Sequence, residues 1–403
     1  MSPSPQFMIP DLVMGDSMKV LMLTQDFPPA DGGIAIFVQH VCQELRRNNM
    51  HVEVLAQDVE RAAAFDAGQS HAIHRYSGRN RLSSLAPIVS TMFHALRGHA
   101  DVLFLGHMLS TYGLGAWLLW RFLRVPYVIL VHGFDLVEYW RQSRLDNFAS
   151  TLVLQDAALI FANSEYTKGV ILEKVRDTKG QVVVINPGVD PDMFKPGLET
   201  SAIKQQYGIG DDRVILTVSR LVPKKNHDNV LRALPEVLQR IPNLKYLIIG
   251  EGSEKTRLES MARQLGIQER VIFTGFVEHT ALPPYYCLCD VFIMPSCVAD
   301  GNLESFGIVF AEASACGKPV IGSKTGGISD AVVNGVTGLL VEPDDTKEIA
   351  QALSRLLTDE QLALTLGKNG RARVENELTW QVMGERIVAF LQGLKSSTRD
   401  VHV

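Results

Sequence analysis

The strongest constraint on the fold of this 403-residue chain is a recurrence of short, unbroken apolar runs, each followed by a stretch of helical length and composition. KVLMLT (19–24) is the first run, followed by HVEVLA (51–56), DVLFLG (101–106), PYVILVHG (126–133), ALIFANS (158–164) and VVVINPG (182–188). Such runs without polar alternation read as strands buried on both faces, the habit of a parallel sheet covered by helices. Residues 34–48, 84–98 and 109–124 are expected helices between them. NPGVDPDMFKP (186–196) is dense in turn residues and reads as a linker. A second series follows it: VILTVSR (214–220), KYLIIGEG (245–252), VIFTGF (271–276), VFIMPS (291–296), KPVIGS (318–323) and GLLVEP (338–343). The expected fold class is α/β, with two Rossmann-like doubly wound domains at 18–195 and 196–379. Their strands' carboxyl ends should line a shared cleft, where ligands bind in such folds.

The length allows two ordinary domains, and 46% hydrophobic with 21% charged residues is the balance of a globular chain. A net charge of −5 argues against nucleic acid as a partner. No apolar run reaches the length of a membrane span. Residues 1–17 lack basic residues and carry interrupting prolines, so a disordered tail is expected there rather than a signal peptide. Five cysteines without disulfide-framework spacing fit a reducing, cytoplasmic location.

The stretch ESFGIVFAEASACG (304–317) is the most chemically specific one. A helix is expected to start near Gly307, where the amides of Phe306, Gly307 and Ile308 could hold a phosphate. Glu304 and Glu312 bracket that start, and carboxylates beside a phosphate site serve best as acceptors for sugar hydroxyls. By itself, such spacing of two glutamates usually means a solvated helix face.

Set in ESFGIVFAEASACGKPVIGS and followed by Gly326 and Gly327, Glu304-x7-Glu312 resembles the signature of glycosyltransferase family 4, retaining enzymes of the GT-B fold that use nucleotide-sugar donors. The resemblance runs over nearly the whole chain from Lys19. It implies two domains facing each other across a cleft, with a last helix in 380–403 crossing back to the first domain.

Roles follow residue by residue. Arg220 and Lys225 match the family's R-x4-K motif at a strand end; a planar fork and a mobile point charge can neutralise a diphosphate leaving group. On charge alone they would be a solvated basic loop, and Lys224 beside them is not assigned. Gly33, ahead of Gly32, lies in an Asp31-Gly32-Gly33 turn that the family places over the donor phosphates and beside the acceptor; as a turn alone it means nothing functional. His132 closes a strand and matches the family's histidine near the transferred sugar, although a lone histidine is usually structural. Asp135 is considered on the acceptor side for its proximity in sequence. Gly250 resembles the start of a dinucleotide fingerprint, but Lys255 stands where its third glycine would be. The family instead sets Gly250 near the nucleoside, with Phe276 and Val277 by the base. By the same pattern Glu312 binds ribose and Glu304 the donor sugar.

No cofactor or catalytic metal is expected. Asp190-Pro-Asp192 sits in the linker, and Cys287, Cys289 and Cys297 lack a fourth ligand for structural zinc. The donor is GDP-mannose or a UDP-sugar, because 219–237 and 380–387 resemble bacterial mannosyltransferases while UDP-glucose and UDP-N-acetylglucosamine stay open. A glycan or lipid-linked acceptor is expected. Residues 67–100 carry Arg75, Arg79, Arg81 and Arg97 among His71, His74, His94 and His99 and have no acidic residue. They read as a solvated basic face, or as a surface for an acidic acceptor or for peripheral contact with anionic membrane at the inner leaflet. Other readings weighed are a nucleotide-sugar 2-epimerase of the same fold, a non-catalytic relative, and a Rossmann oxidoreductase.

Overall fold

The computed structural model describes residues 17–30, 32–76, 86–107, 110–133, 144–299 and 301–399. The expected tail at 1–17 falls, but for Ser17, outside them, as do Asp31, Arg79, Arg81 and Asp135. Among the described residues, thirteen strands form two parallel sheets. The first contains β1 (Lys19–Thr24), β2 (His51–Gln57), β3 (Ile73–Tyr76), β4 (Val102–Leu105), β5 (Tyr127–Val131), β6 (Leu159–Ala162) and β7 (Gln181–Val184), in the order β3-β2-β1-β4-β5-β6-β7. The second contains β8 (Arg213–Val218), β9 (Leu244–Ile249), β10 (Val271–Gly275), β11 (Val291–Met294), β12 (Val320–Ser323) and β13 (Gly338–Val341), in the order β10-β9-β8-β11-β12-β13.

The central strands are buried on both faces, as β4, β5, β6 and β11 are at every residue. Their unbroken apolar runs follow directly from that burial. Each sheet has an apolar core on either side. Around the second, for example, Phe292 and Phe310 pack on one face and Ile293 and Leu353 on the other. In both sheets the strand order reverses beside the first strand, between β1 and β4 and between β8 and β11. These reversals open a crevice at the strands' carboxyl ends. The turn of Gly32 and Gly33 leaves β1 at one reversal, and the Arg220 loop leaves β8 at the other.

Strand β3 was not anticipated. Its sequence IHRY is half-buried at every position because it lies at the sheet's edge, so it lacks the apolar signature of the inner strands.

The final helix, Trp380–Arg399, packs its Trp380, Met383, Ile387 and Leu391 into the core of the first sheet. Trp380 stacks on His40 with ring centroids 4.1 Å apart and meets the Phe37 ring edge-on at 5.6 Å. The two chain crossings between the sheets lie side by side: Val189 donates its N–H to the Leu378 carbonyl at 2.8 Å. A side chain at Gly188 would collide with the backbone of Thr379 and Trp380. Among the described residues, no helix is long and apolar enough to cross a membrane.

Candidate active site

The loop after β8 makes a short 3-10 turn at Pro223–Lys225 and then places Asn226 in the left-handed region, φ 59°. The Asn226 amide holds that loop by donating to the carbonyls of Pro295 (2.9 Å) and Pro343 (2.7 Å), just past β11 and β13. His227 lies beneath it, 2% exposed, with its ring 3.0 Å from the Ser219 hydroxyl. Burial, aided by the charge of Lys225, pushes the His227 imidazole down to about 4, so it packs as a neutral group.

Lys225, 9% exposed, is thereby aimed across the reversal between β8 and β11. Its Nζ donates to Glu304 Oε2 at 2.5 Å and lies 3.6 Å from the Met294 sulfur. Burial alone would raise the Glu304 carboxyl; the charges of Lys225, Lys224 and Arg220, with the hydrogen bond from Lys225, hold it below the ordinary carboxylate range. Burial lowers the Lys224 ammonium, while Arg220 is exposed at the mouth of the loop. The anticipated R-x4-K pair and the first glutamate therefore belong to one charged cluster.

Glu304 leads into the helix Ile308–Ala315, whose N-cap is Gly307 at φ 83°. A side chain there would meet the Phe310 ring at 2.7 Å, so both conformation and space call for glycine. Phe306 is buried, and Ile308 is half-buried against the cores of both sheets. Gly326 and Gly327 press against the carbonyls of Glu304 and Ser305, and the Gly327 N–H donates to the Glu304 carbonyl at 2.8 Å. The glycine pair thus serves to clamp the Glu304 loop.

Glu312 is only 3% exposed. Its carboxylate accepts from the Tyr286 hydroxyl at 2.6 Å and pairs with His279 Nε2 at 2.9 Å. The hydrogen bond to Glu312 raises the His279 imidazole, against its partial burial. Neither partner was anticipated: they lie 33 and 26 residues away, on other elements.

The first sheet supplies the facing groups. His132 follows β5 and is buried, with Nε2 3.0 Å from the Gly106 carbonyl and its ring edge-on to Phe37 at 5.2 Å. A carbonyl can only accept, so that nitrogen carries the proton. At Gly133, φ 83°, a side chain would reach the Ser305 Cβ at 2.8 Å. Asn163, just past β6, donates its amide to the Ser305 hydroxyl and to the His132 carbonyl, each at 3.2 Å. Asn163 and Ser305 were also unanticipated as contacts, although ALIFANS does end a strand on polar residues. Gly32, at φ 136°, and Gly33 open the helix Gly33–Arg47, are exposed, and have open space where a side chain would begin.

Three other expectations have a local explanation. Gly250 and Gly252 are wedged against the carbonyls of Ser219 and Leu221, which accounts for both glycines through backbone packing between the β8 and β9 loops. Phe276 is 67% exposed past β10, and Val277 is partly buried. Asp190 accepts from the N–H groups of Asp192 (2.9 Å) and Met193 (3.1 Å) and closes a turn. The thiols of Cys287, Cys289 and Cys297 have separate carbonyl partners at Lys195, Tyr286 and Pro223.

Comparison with known proteins accords with this geometry. The family model for glycosyl transferases group 1 matches residues 199–373, and that for glycosyltransferase family 4 matches residues 31–193. The GDP-mannose-dependent α-(1-6)-phosphatidylinositol monomannoside mannosyltransferase of Mycolicibacterium smegmatis is 31% identical over 385 residues, covering 94% of this chain and 99% of the relative. The chain belongs to glycosyltransferase family 4. A second family relative, the GDP-mannose-dependent monoacylated α-(1-6)-phosphatidylinositol monomannoside mannosyltransferase of Corynebacterium glutamicum, is 29% identical over 388 residues, with 94% and 99% covered. The fold is GT-B. HepE of Anabaena in complex with UDP superposes with a TM-score of 0.78 at 24% identity, covering 93% of this chain and 100% of that one. A glycosyltransferase from Rickettsia africae gives 0.79 at 18% identity, covering 93% and 98%. This family 4 chain is therefore an enzyme, a glycosyltransferase using nucleotide sugars.

The Glu312 pairing has a measurable signature. A histidine raised by a partner contributes stability below its unfolded pKa, about 6.5, and loses that contribution as pH rises through the raised folded value. In an NMR titration His279 should lose its proton above the usual pH. Glu312→Gln should return it toward the ordinary value, and an unchanged midpoint would contradict the pairing.

Proposed function

We propose that this glycosyltransferase moves mannose from GDP-mannose to a hydroxyl of a lipid-linked or glycan acceptor, with retention of anomeric configuration. The observation that carries the chemistry is the meeting of Lys225, Arg220 and Glu304 at the β8/β11 reversal, beside the Gly307-capped helix. The donor and the lipid-linked acceptor rest on the relatives described as GDP-mannose-dependent phosphatidylinositol monomannoside mannosyltransferases.

In this reading the donor diphosphate lies against Arg220, Lys225 and the amides of Phe306, Gly307 and Ile308, where helix-terminal N–H groups and two cations favour an anion. The Lys225 ammonium is shared between Glu304 and the phosphate. Glu304 turns its other oxygen to a donor-sugar hydroxyl. Glu312 receives the ribose; each of its oxygens accepts one bond already and retains a second lone pair. Gly250, Phe276 and Val277 border the nucleoside. Gly33 and His132 close over the sugar, and Gly32 lies toward the acceptor; Asp135 is outside the described residues.

Bond breaking at C1 leaves negative charge on the departing diphosphate, which Arg220 and Lys225 neutralise as it grows. The acceptor oxygen attacks C1 from the same face. Its proton passes to the leaving phosphate oxygen, so neither a protein nucleophile nor a metal is required. Water exclusion between the two sheets limits hydrolysis of the donor.

An acceptor carried in a membrane brings this chain to a lipid surface. The helix Ala86–Gly98 supports such contact, because Val89, Met92, Phe93 and Leu96 share one face and are 64, 37, 54 and 51% exposed. Arg97 lies over the Phe93 ring at 5.7 Å. Phe93→Ser/Leu96→Ser should reduce sedimentation with anionic vesicles, with thermal stability held. Equal sedimentation of the wild type and the double variant would remove the membrane from this proposal.

Lys225→Ala should lower kcat by about 10²- to 10³-fold, the usual cost of losing one preorganised charge on a leaving group, with a smaller change in KM. Glu312→Gln should weaken GDP binding by roughly 10- to 100-fold, measured by calorimetry in EDTA against UDP as the competing base. Unchanged turnover in the first variant, or unchanged GDP affinity in the second, would remove that residue from its role.

A further inference from the structure

We infer that the outer edge of the first sheet carries a second site, for a divalent transition metal of the zinc type, built from Glu53 on β2, His74 on β3 and His94 on the helix Ala86–Gly98. Each offers a ligand atom, and these atoms lie within 4.8 Å of one another. His74 Nε2 is 3.2 Å from Glu53 Oε2. Two ligand atoms bound tetrahedrally at 2.0–2.1 Å from zinc stand about 3.3 Å apart, so that edge is already at coordination spacing. The His74 and His94 rings are 4.0 Å apart and tilted by 32°. A small turn of the half-buried His94 brings its nitrogen to the third corner.

The donor set suits this class of ion. Two imidazoles and one carboxylate are ligands of zinc and its neighbours, whereas calcium and magnesium take oxygen alone. Two imidazoles this close can offer their ring nitrogens to one ion. His51 Nε2 lies 3.5 Å from the other Glu53 oxygen, Oε1. Lys19, His51, Glu53, His94 and Gly98 line one small cavity, and the Lys19 ammonium donates to the Gly98 carbonyl at 3.4 Å. That bond directs part of its charge away from the cluster.

Position sets the role. Glu53 lies near the start of β2, opposite Leu21 near the start of β1, whereas the catalytic cleft opens at the strands' other ends. The ion would therefore take no part in glycosyl transfer. It would cross-link β2, the short edge strand β3 and the helix that bears Val89, Met92, Phe93 and Leu96, fixing that apolar face against the sheet. The inference does not depend on the donor or acceptor proposed above.

The test uses the full chain, stripped with EDTA, desalted and titrated with zinc chloride by calorimetry and thermal denaturation. The expected result is one equivalent bound and a higher Tm. Binding should weaken on the order of 10- to 100-fold or more in His74→Gln and in His94→Gln, since even outer-shell changes cost that much at metal sites. Cys287→Ser should bind like the wild type. Circular dichroism and a cooperative thermal transition in EDTA would confirm that each variant is folded. Absence of a one-equivalent site, wild-type zinc affinity in both histidine variants, or loss of binding in Cys287→Ser instead would overturn the inference.

Discussion

The largely shielded pair of Lys225 and Glu304, with side chains 11 and 15% exposed, is the interaction on which the rest of this site depends. Two charges with so little access to water are best tolerated when each satisfies the other, and removing one partner leaves the other poorly compensated. Its geometry is imposed from three sides. Asn226 ties the lysine loop to the ends of β11 and β13, while Gly326 and Gly327 clamp the glutamate loop. Gly307 then turns the chain into the helix that carries Glu312. In the proposed mechanism a phosphate bound here would meet a lysine already held in place, which is the condition for stabilising charge as it develops.

Facing this cluster, the described residues of the first sheet contribute backbone and small polar groups: Gly133, Asn163 and His132. Ser305 lies against Gly133 and takes a hydrogen bond from Asn163, so the Glu304 loop touches both sheets at once. Ile308 packs into the cores of both sheets as well. The crossings at Val189 and Leu378 and the Trp380 helix join the sheets at the far side of these contacts. The Glu165 N–H, which donates to Asp330 Oδ2 at 3.1 Å, adds a further contact between the two halves beside those of Ser305 and Ile308.

Much of this was legible in the chain. Inner parallel strands are buried on both faces, so their apolar runs stand out, and the Glu304-x7-Glu312 stretch marks a helix start with bracketing carboxylates. Edge strand β3 was missed because half-exposure removes that signal. Tyr286 and His279 were missed because nothing in local spacing says which distant side chains will reach Glu312. Asn163 and Ser305, 142 residues apart, pose the same difficulty. Gly250 and Gly252 lack the third glycine of a dinucleotide fingerprint, and in the fold both pack closely against the β8 loop, a contact that local spacing did not reveal. The stretch 67–100 read as basic because its carboxylate partners lie outside it: Asp66 pairs with Arg75, and Glu53 on a neighbouring strand meets His74.

Stereochemistry tests the account most directly. Leaving-group charge held by Arg220 and Lys225, with attack on the face the phosphate departs from, requires the product to keep the donor's configuration. The decisive measurement is the anomeric configuration of the mannoside formed from GDP-α-mannose and a lipid-linked acceptor in EDTA, read by proton NMR. The account predicts GDP release with an α-mannosyl product, made about 10²- to 10³-fold more slowly by Lys225→Ala. A β product, or no turnover of GDP-mannose by the folded enzyme, would contradict it.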